Sequence, residues 1–279
     1  MDVKRAGNWA EHFASFQDPS VIQSYQYRPP FPPEVFTVLS GLITETPRRA
    51  LDLGCGTGFV ARELLPYVDE IDAVDVSAGM IEEGKRLPGG DNPRLCWILG
   101  RAEDAPLDPP YALITAGDSM HWMDWPVLLP RLRGMLTPGG YLTVFGWGQE
   151  PPPWQAELVP IIQRYSTIRD FLSYNLIEEL VRRGLFTLHG THTTAPIPFT
   201  QSVEEYVASF HGRSSFSRER MAPTDADAFD AAVRELVMAY NPATVTLSLI
   251  TTIAWGKPGL GRHGEGQGVE GCATRGRTT

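Results

Sequence analysis

Short apolar runs alternate with segments of helical periodicity between residues 48 and 147. The runs RALDL, EIDAV, LCWIL, YALITA and YLTVFGW have few polar interruptions. Such runs predict strands that are buried on both faces, as in a parallel sheet. Between them, GFVARELLPYV, AGMIEEGKRL and WPVLLPRLRGML space their apolar residues at helical intervals. This alternation predicts an α/β fold with a doubly wound sheet.

The pattern changes after Trp147. The segments LFTLHGTHTTAPI and ATVTLSLITTIAW are rich in β-branched residues and predict two further strands, which complete a seven-stranded Rossmann-like sheet. Helical patterns at about 151–184 and 200–241 predict a cap that is inserted around these strands. Upstream, a proline-punctuated turn precedes a predicted helix at about 33–43.

These patterns divide the chain into three parts. Residues 1–47 form a predicted N-terminal arm and helix, and residues 48–258 form the main domain with its cap helices. Residues 259–279 contain seven glycines and almost no large apolar side chain. Such a segment buries too little apolar surface to offset its ordering entropy, so we predict a disordered tail without an assigned function.

The charge balance and the cysteines narrow the choice of partner and compartment. The chain has 24 Lys and Arg against 33 Asp and Glu, a formal charge of −9, which argues against nucleic acid. No apolar run approaches the ~20 residues of a membrane span, and the N-terminus lacks the apolar core of a signal peptide. Cys55, Cys96 and Cys272 have no metal-type spacing. We therefore predict a cytoplasmic protein that acts on neither nucleic acid nor a membrane and binds no metal, and the oligomeric state stays open.

A glycine loop is the first sign of chemistry. Gly54, Gly56 and Gly58 follow a predicted strand and precede a predicted helix, where backbone N–H groups can approach a ligand. Asp75 ends the next strand, in the position of an acid that accepts hydrogen bonds from ribose hydroxyls. On these residues alone, a tight structural turn with an acid at a helix start is an equal alternative.

The surrounding motifs make the loop more specific. LDLGCGTG, AVDVSAGMI, GRAEDAPL, YALITAGDSMHWMDW and RGMLTPGGYLTVF resemble, in order, the motifs of class I S-adenosylmethionine-dependent methyltransferases, over roughly residues 13–147. FQDPSVIQSYQYRPPFP is similar to the N-terminal arm of a bacterial small-molecule branch. Ala112 departs from the pattern, since many relatives carry Asp there. The resemblance implies S-adenosyl-L-methionine as cofactor, with contacts from Tyr25, Arg28, Asp52, Gly54, Cys55, Gly56, Asp75, Val76, Met80, Ala102, Glu103, Gly117 and Asp118.

The segment DSMHWMDW follows the fourth strand, where the methyl acceptor is expected. His121 is the candidate catalytic residue: it could act as a general base, orient an acceptor that is already ionised, or be structural. Trp122 could line the acceptor pocket or pack in the hydrophobic core.

The predicted cap supplies the other substrate candidates, Trp147, Tyr174, His211 and Arg213, each of which could equally be a surface or packing residue. A cationic Arg213 could recognise an anionic acceptor. We expect methylation of a small organic acceptor, with O-methylation of a hydroxyl or carboxylate favoured. The alternative is a protein that binds S-adenosylmethionine as a sensor or for a non-methylating reaction.

Overall fold

The computed structural model describes residues 14–168 and 174–261. Its main sheet contains seven strands, namely β1 (Arg49–Leu53), β2 (Glu70–Asp75), β3 (Leu95–Leu99), β4 (Tyr111–Gly117), β5 (Leu136–Phe145), β6 (Phe186–Thr193) and β9 (Thr252–Pro258). Their order is β3-β2-β1-β4-β5-β9-β6. The first five are parallel to one another, and β9 is antiparallel to both of its neighbours. This confirms the predicted doubly wound, seven-stranded sheet.

Helices cover both faces of the sheet. In chain order the helices are α1 (Pro19–Ser24), α2 (Pro33–Gly41), α3 (Phe59–Leu64), α4 (Ala78–Arg86), α5 (Trp125–Arg133), α6 (Gln155–Tyr165), α7 (Leu176–Arg182), α8 (Val203–His211) and α9 (Pro223–Tyr240). Successive strand residues point to opposite faces, so Ala50 packs with α2 and α3 while Leu51 packs with α5 and α7. Both faces are therefore apolar, which explains the near-continuous apolar runs of the strands.

The cap has its own core and its own small sheet. Strands β7 (Ile197–Ser202) and β8 (Thr244–Leu249) pair antiparallel, and their apolar residues pack with α6, α8 and α9 around Phe229. Helix α8 begins at a capping box, in which Ser202 and Glu205 each satisfy the other's backbone N–H.

Two predictions about this region were wrong in detail. ATVTLSLITTIAW is two strands: β8 belongs to the cap, and β9 belongs to the main sheet after a break at residues 250–251. No glycine or proline marks the break in the sequence. At the break, the N–H of Ile250 donates to the Gly148 carbonyl at 3.1 Å. Helix α7, expected in the cap, instead packs Leu180 into the main core beside Trp125.

The ends of the chain lie largely outside the described residues. These include residues 1–13 of the predicted arm and residues 262–279 of the predicted tail. Residues 259–261 of the predicted tail pack on the main domain, since the N–H groups of Gly259 and Gly261 donate to the carbonyls of Leu185 and Gly184 at 2.7 and 3.1 Å. In the two described ranges, every helix is too short or too polar to cross a bilayer.

Candidate active site

The loop between β1 and α3 passes so close to its neighbours that side chains are excluded. Gly54 and Gly56 have φ values of 63° and 55°. A Cβ on Gly54 would lie 2.7 Å from the Cβ of Ser119, and one on Gly56 would lie 3.1 Å from the hydroxyl of Tyr25. The loop therefore forms a cradle of bare backbone at the carboxyl ends of the central strands.

Asp75 ends β2 and holds the loop from the side. Its Oδ2 accepts a hydrogen bond from the N–H of Gly56, and its Oδ1 accepts one from the N–H of Ser77, both at 2.8 Å. Burial raises the pKa of Asp75, although these N–H groups oppose the shift. Each carboxylate oxygen keeps a further lone pair, so the group can accept from ligand hydroxyls as well.

The N-terminal arm covers this cradle and is fixed at two places. Ser77 at the start of α4 donates its hydroxyl to the Phe16 carbonyl at 2.8 Å. On the other side, the hydroxyl of Ser217 donates to Asp18 at 2.6 Å, and the N–H of Ser20 donates to Glu219 at 3.0 Å. The cap and the main domain thus both hold the arm in place over the loop.

A partly buried ion pair joins the arm to the end of β4. Arg28 Nη2 lies 2.5 Å from Asp118 Oδ2, and the guanidinium lies 4.9 Å from the centre of the Tyr25 ring. Burial alone would lower the pKa of Arg28, but Tyr25 and Asp118 raise it above its ordinary value. Asp118 has a φ of 53°, which turns the chain away from the strand directly after Gly117. This pair marks the end of the cradle that lies nearest β4.

These elements enclose a cavity of about 690 Å³, which is large enough for a nucleotide-sized ligand. Twelve of the residues that line this cavity are predicted from the sequence: Tyr25, Arg28, Gly54, Gly56, Asp75, Val76, Met80, Ala102, Glu103, Asp118, His121 and Trp122. Nine further lining residues are not predicted from the sequence: Phe16, Val74, Gly100, Arg101, Ser119, Met123, Asp124, Pro126 and Arg183.

The segment after β3 is held by a residue that the sequence did not reveal. Arg131 on α5 donates to the Ala102 carbonyl at 2.6 Å and to the Ala105 carbonyl at 2.5 Å. Glu103 accepts from the N–H of Asp124 at 2.7 Å. An arginine on an amphipathic helix is indistinguishable in sequence from a solvated one, so only the tertiary structure identifies this positioning role.

His121 lies where the main cavity meets a second one. The second cavity, of about 580 Å³, shares Asp118, Ser119 and His121 with the first and extends toward the start of α7 and the edges of β6 and β9. The imidazole ring lies 4.8 Å from the ring of Trp122, and Trp122 in turn packs edge-on against Phe16 at 5.5 Å. The imidazole therefore stands at a boundary between two compartments.

Comparisons with known proteins agree with this geometry. Residues 50–140 match the family description "Methyltransferase domain". An uncharacterized methyltransferase of Mycobacterium tuberculosis is 32% identical over 148 residues, which are 52% of this chain and 58% of that protein. Residues 50–140 are thus similar to a methyltransferase domain, as the sequence motifs predicted. The cofactor of this family is S-adenosyl-L-methionine.

Other similarities to the methyltransferase domain are narrower. A trans-aconitate 2-methyltransferase of Pseudomonas paraeruginosa is 41% identical over 102 residues, which are 35% of each protein. A solved structure from Anaeromyxobacter dehalogenans, provisionally assigned as a type II methyltransferase, has a TM-score of 0.58 at 22% identity. The match covers 85% of this chain and 99% of that one, and it shows the shared fold. The chain thus spans between a third and three fifths of the two sequence relatives.

Three predicted cofactor residues lie beneath the methyltransferase loop rather than on the cavity wall. Asp52 is buried, and its Oδ1 accepts a hydrogen bond from the Thr115 hydroxyl at 2.8 Å. Cys55 is buried in the core around α3, and burial raises the pKa of its thiol well above the ordinary value. Gly117 packs against the Phe145 ring. These residues support the loop from below and do not line the cavity.

Asp52 gives the methyltransferase domain a pH-dependent stability. Burial raises its pKa to about 7, and Asp75 adds to the shift, while Thr115 and the Ala61 N–H oppose it. The folded state therefore keeps a proton that the unfolded state loses, so this contribution to stability falls as pH rises from about 4 to about 7. In Asp52→Asn this slope should vanish.

We expect the difference in unfolding free energy, wild type minus Asp52→Asn, to decrease by roughly 2 kcal/mol between pH 5 and pH 8. Urea denaturation at both pH values measures it. Asp91→Asn, at an exposed position, is the control. Parallel pH profiles for wild type and Asp52→Asn would contradict the assignment.

The four cap candidates lie outside the main cavity, and two of them pack elsewhere. His211 is buried, with Nδ1 2.7 Å from the Phe216 carbonyl and Nε2 2.7 Å from Asp230. The substrate role predicted for His211 does not fit this structural position. Tyr174 packs beside Trp125 on the α7 side, with the ring centres 6.3 Å apart. Trp147 and Arg213 instead lie together, with the guanidinium over the indole at 5.4 Å.

Proposed function

We propose that this chain transfers a methyl group from S-adenosylmethionine to an oxygen atom of a small organic acceptor, either a hydroxyl or a carboxylate. The observation that carries the proposal is the cavity itself: a bare-backbone cradle and Asp75 lie at one end, and the Arg28–Asp118 pair and His121 lie at the other. A relative that methylates trans-aconitate is consistent with an oxygen acceptor.

The residues of the cavity fit the proposed cofactor. Gly54 and Gly56 line the cavity with backbone alone, which a ligand can approach closely, and Asp75 beside them can accept from ribose hydroxyls. Ala102 and Glu103 would meet the adenine, and Tyr25 and Arg28 would lie over the methionyl end. When bound, the cofactor supplies an electrophilic methyl group on a sulfonium.

The remaining contribution of the protein is positioning and exclusion of water. Methyl transfer is an in-line displacement, so holding the acceptor opposite the leaving sulfur supplies most of the rate enhancement. The arm, held by Ser77 and the cap, shields the cavity from solvent. His121 borders both cavities, where it could remove a proton from a hydroxyl acceptor or orient a carboxylate.

The volumes of the two cavities, about 690 and 580 Å³, support a compact acceptor over nucleic acid or a protein. We also expect a cytoplasmic location, because Cys55 and Cys96 are free thiols. The divisions at residues 47, 48 and 258 remain our proposal for the domain organisation.

Transfer of radiolabelled methyl from S-adenosylmethionine to a panel of phenols, carboxylates and amines tests the function. We expect label in at least one oxygen acceptor. His121→Ala should lower turnover by about 100-fold, with the affinity for S-adenosylhomocysteine within about threefold of wild type. The exposed His189→Ala is the matched control.

Unchanged turnover in His121→Ala would remove this residue from the mechanism. Tight binding of S-adenosylhomocysteine without labelled product across the whole panel would favour a sensor or a non-methylating reaction instead.

A further inference from the structure

Arg213 is a cation whose donors have no acceptor in the described part of the chain. It follows α8, and its guanidinium lies 4.6 Å from the centre of the Phe210 ring and 5.4 Å from that of Trp147. Within residues 14–168 and 174–261, the guanidinium makes no hydrogen bond and no ion pair. Five N–H donors in a fixed fork are therefore available in one place.

The same place holds a second unmatched donor. The indole Nε1 of Trp147 is buried and has no hydrogen-bond partner in the described part of the chain. Buried donors in native proteins nearly always have partners, and an acceptor atom of a ligand bound beside Arg213 would satisfy this one. Trp147 lies two residues after the carboxyl end of β5, and Asp118 lies directly after the carboxyl end of the neighbouring parallel strand β4.

This pair of donors adjoins the cofactor cavity. A Cβ on Gly212 would lie 3.3 Å from the Cα of Tyr25, and one on Gly146 would lie 3.7 Å from Oδ1 of Asp118. Arg213 and Trp147 therefore lie just behind the Arg28–Asp118 pair, on the cap side.

The local charge favours an anion with a single negative charge. Arg28 and Asp118 neutralise each other, which leaves Arg213 uncompensated. Burial lowers the pKa of Arg213 to about 10, and the neighbouring Arg28 adds to the effect. Glu178, a carboxylate that lines the second cavity, would disfavour an anion there.

We propose that the methyl acceptor carries a carboxylate, which the guanidinium of Arg213 and the indole N–H of Trp147 bind. The proposal rests on the methyltransferase function proposed above. A carboxylate matches the planar fork of a guanidinium and carries one charge, as this site requires. The donor's amino-acid carboxylate has the same chemistry, but Arg28 lines the cofactor cavity and Arg213 does not.

Calorimetry on the full chain saturated with S-adenosylhomocysteine tests the site. The probes are benzoate, succinate and trans-aconitate, each paired with its neutral amide. We expect wild type to bind at least one acid and to discriminate against its amide. Arg213→Met should weaken acid binding at least about 30-fold. Arg213→Lys should recover part of it, because it keeps the charge without the fork.

Trp147→Phe is the matched variant for the second donor, because it keeps an aromatic face under Arg213 while it removes the indole N–H together with part of the ring. We expect a loss of about fivefold in acid affinity. In all three variants the affinity for S-adenosylhomocysteine should stay within about threefold of wild type, which also shows that the cap is folded.

Two results would overturn the carboxylate site. The first is equal binding of acids and amides by wild type. The second is a loss of S-adenosylhomocysteine affinity in Arg213→Met with acid binding unchanged, which would assign Arg213 to the donor. Acids that bind in an Arg213-dependent way without ever being methylated would instead refute the proposed function and leave the site standing.

Discussion

Replacing Asp75 with alanine is expected to weaken the binding of S-adenosylhomocysteine by at least about 100-fold, because hydrogen bonds to a charged group each contribute about 1.5–3 kcal/mol. In the free protein both carboxylate oxygens accept from backbone N–H groups, those of Gly56 and Ser77. The variant therefore loses the acceptors for the ribose hydroxyls and also the hydrogen bond from the Gly56 N–H that holds the glycine loop. Isothermal titration calorimetry measures the change directly.

Asp75→Asn separates the charge from the shape. An amide keeps one oxygen, but its NH₂ group would face an N–H of Gly56 or Ser77, so only part of the affinity should return. Asp91→Ala removes an exposed acid and should leave binding unchanged. An affinity of Asp75→Ala within about threefold of wild type would show that the carboxylate does not meet the ligand.

The cofactor half of the site could be predicted because its signals are local. The glycine spacing and Asp75 lie within one strand, loop and strand, and the structure brings Gly56 and Asp75 within hydrogen-bond distance. The arm residues Tyr25 and Arg28 were accessible only through their resemblance to a known arm, since nothing in their own spacing indicates a contact with Asp118.

The acceptor side could not be predicted in the same way, because it depends on long-range packing. Sequence alone could not separate His211, which is locked between Phe216 and Asp230, from Arg213 two residues later, which has no such partner. Arg131 is a further case, because its role follows from the distance between α5 and the carbonyls of Ala102 and Ala105.

The unbroken β-branched run across β8 and β9 illustrates the same limit for the fold. Each half has the composition of a strand, but the β-strand propensity of its residues does not determine which sheet the strand joins. The choice is made by partners far away in sequence: β8 pairs with β7, and β9 inserts between β5 and β6. The cap sheet is therefore a tertiary feature without a local signal.

Gly54→Ala should lower the free energy of unfolding by about 3 kcal/mol, the second large effect that we expect. A left-handed φ costs an alanine roughly 1 kcal/mol, and overpacking adds about 1–3 kcal/mol. The new Cβ would lie 2.7 Å from the Cβ of Ser119. Ser119 cannot retreat freely, because it is buried and its hydroxyl donates to the Leu53 carbonyl at 2.5 Å.

Gly89→Ala provides the matched control, since Gly89 has a φ of 81° but no atom within 4 Å of the position that its Cβ would take. It should show only the conformational cost of about 1 kcal/mol. Urea denaturation of both variants therefore isolates the steric term, which we expect to be about 2 kcal/mol. Equal losses in the two variants would mean that the loop can move away from Ser119, and the cradle would then be looser than its contacts indicate.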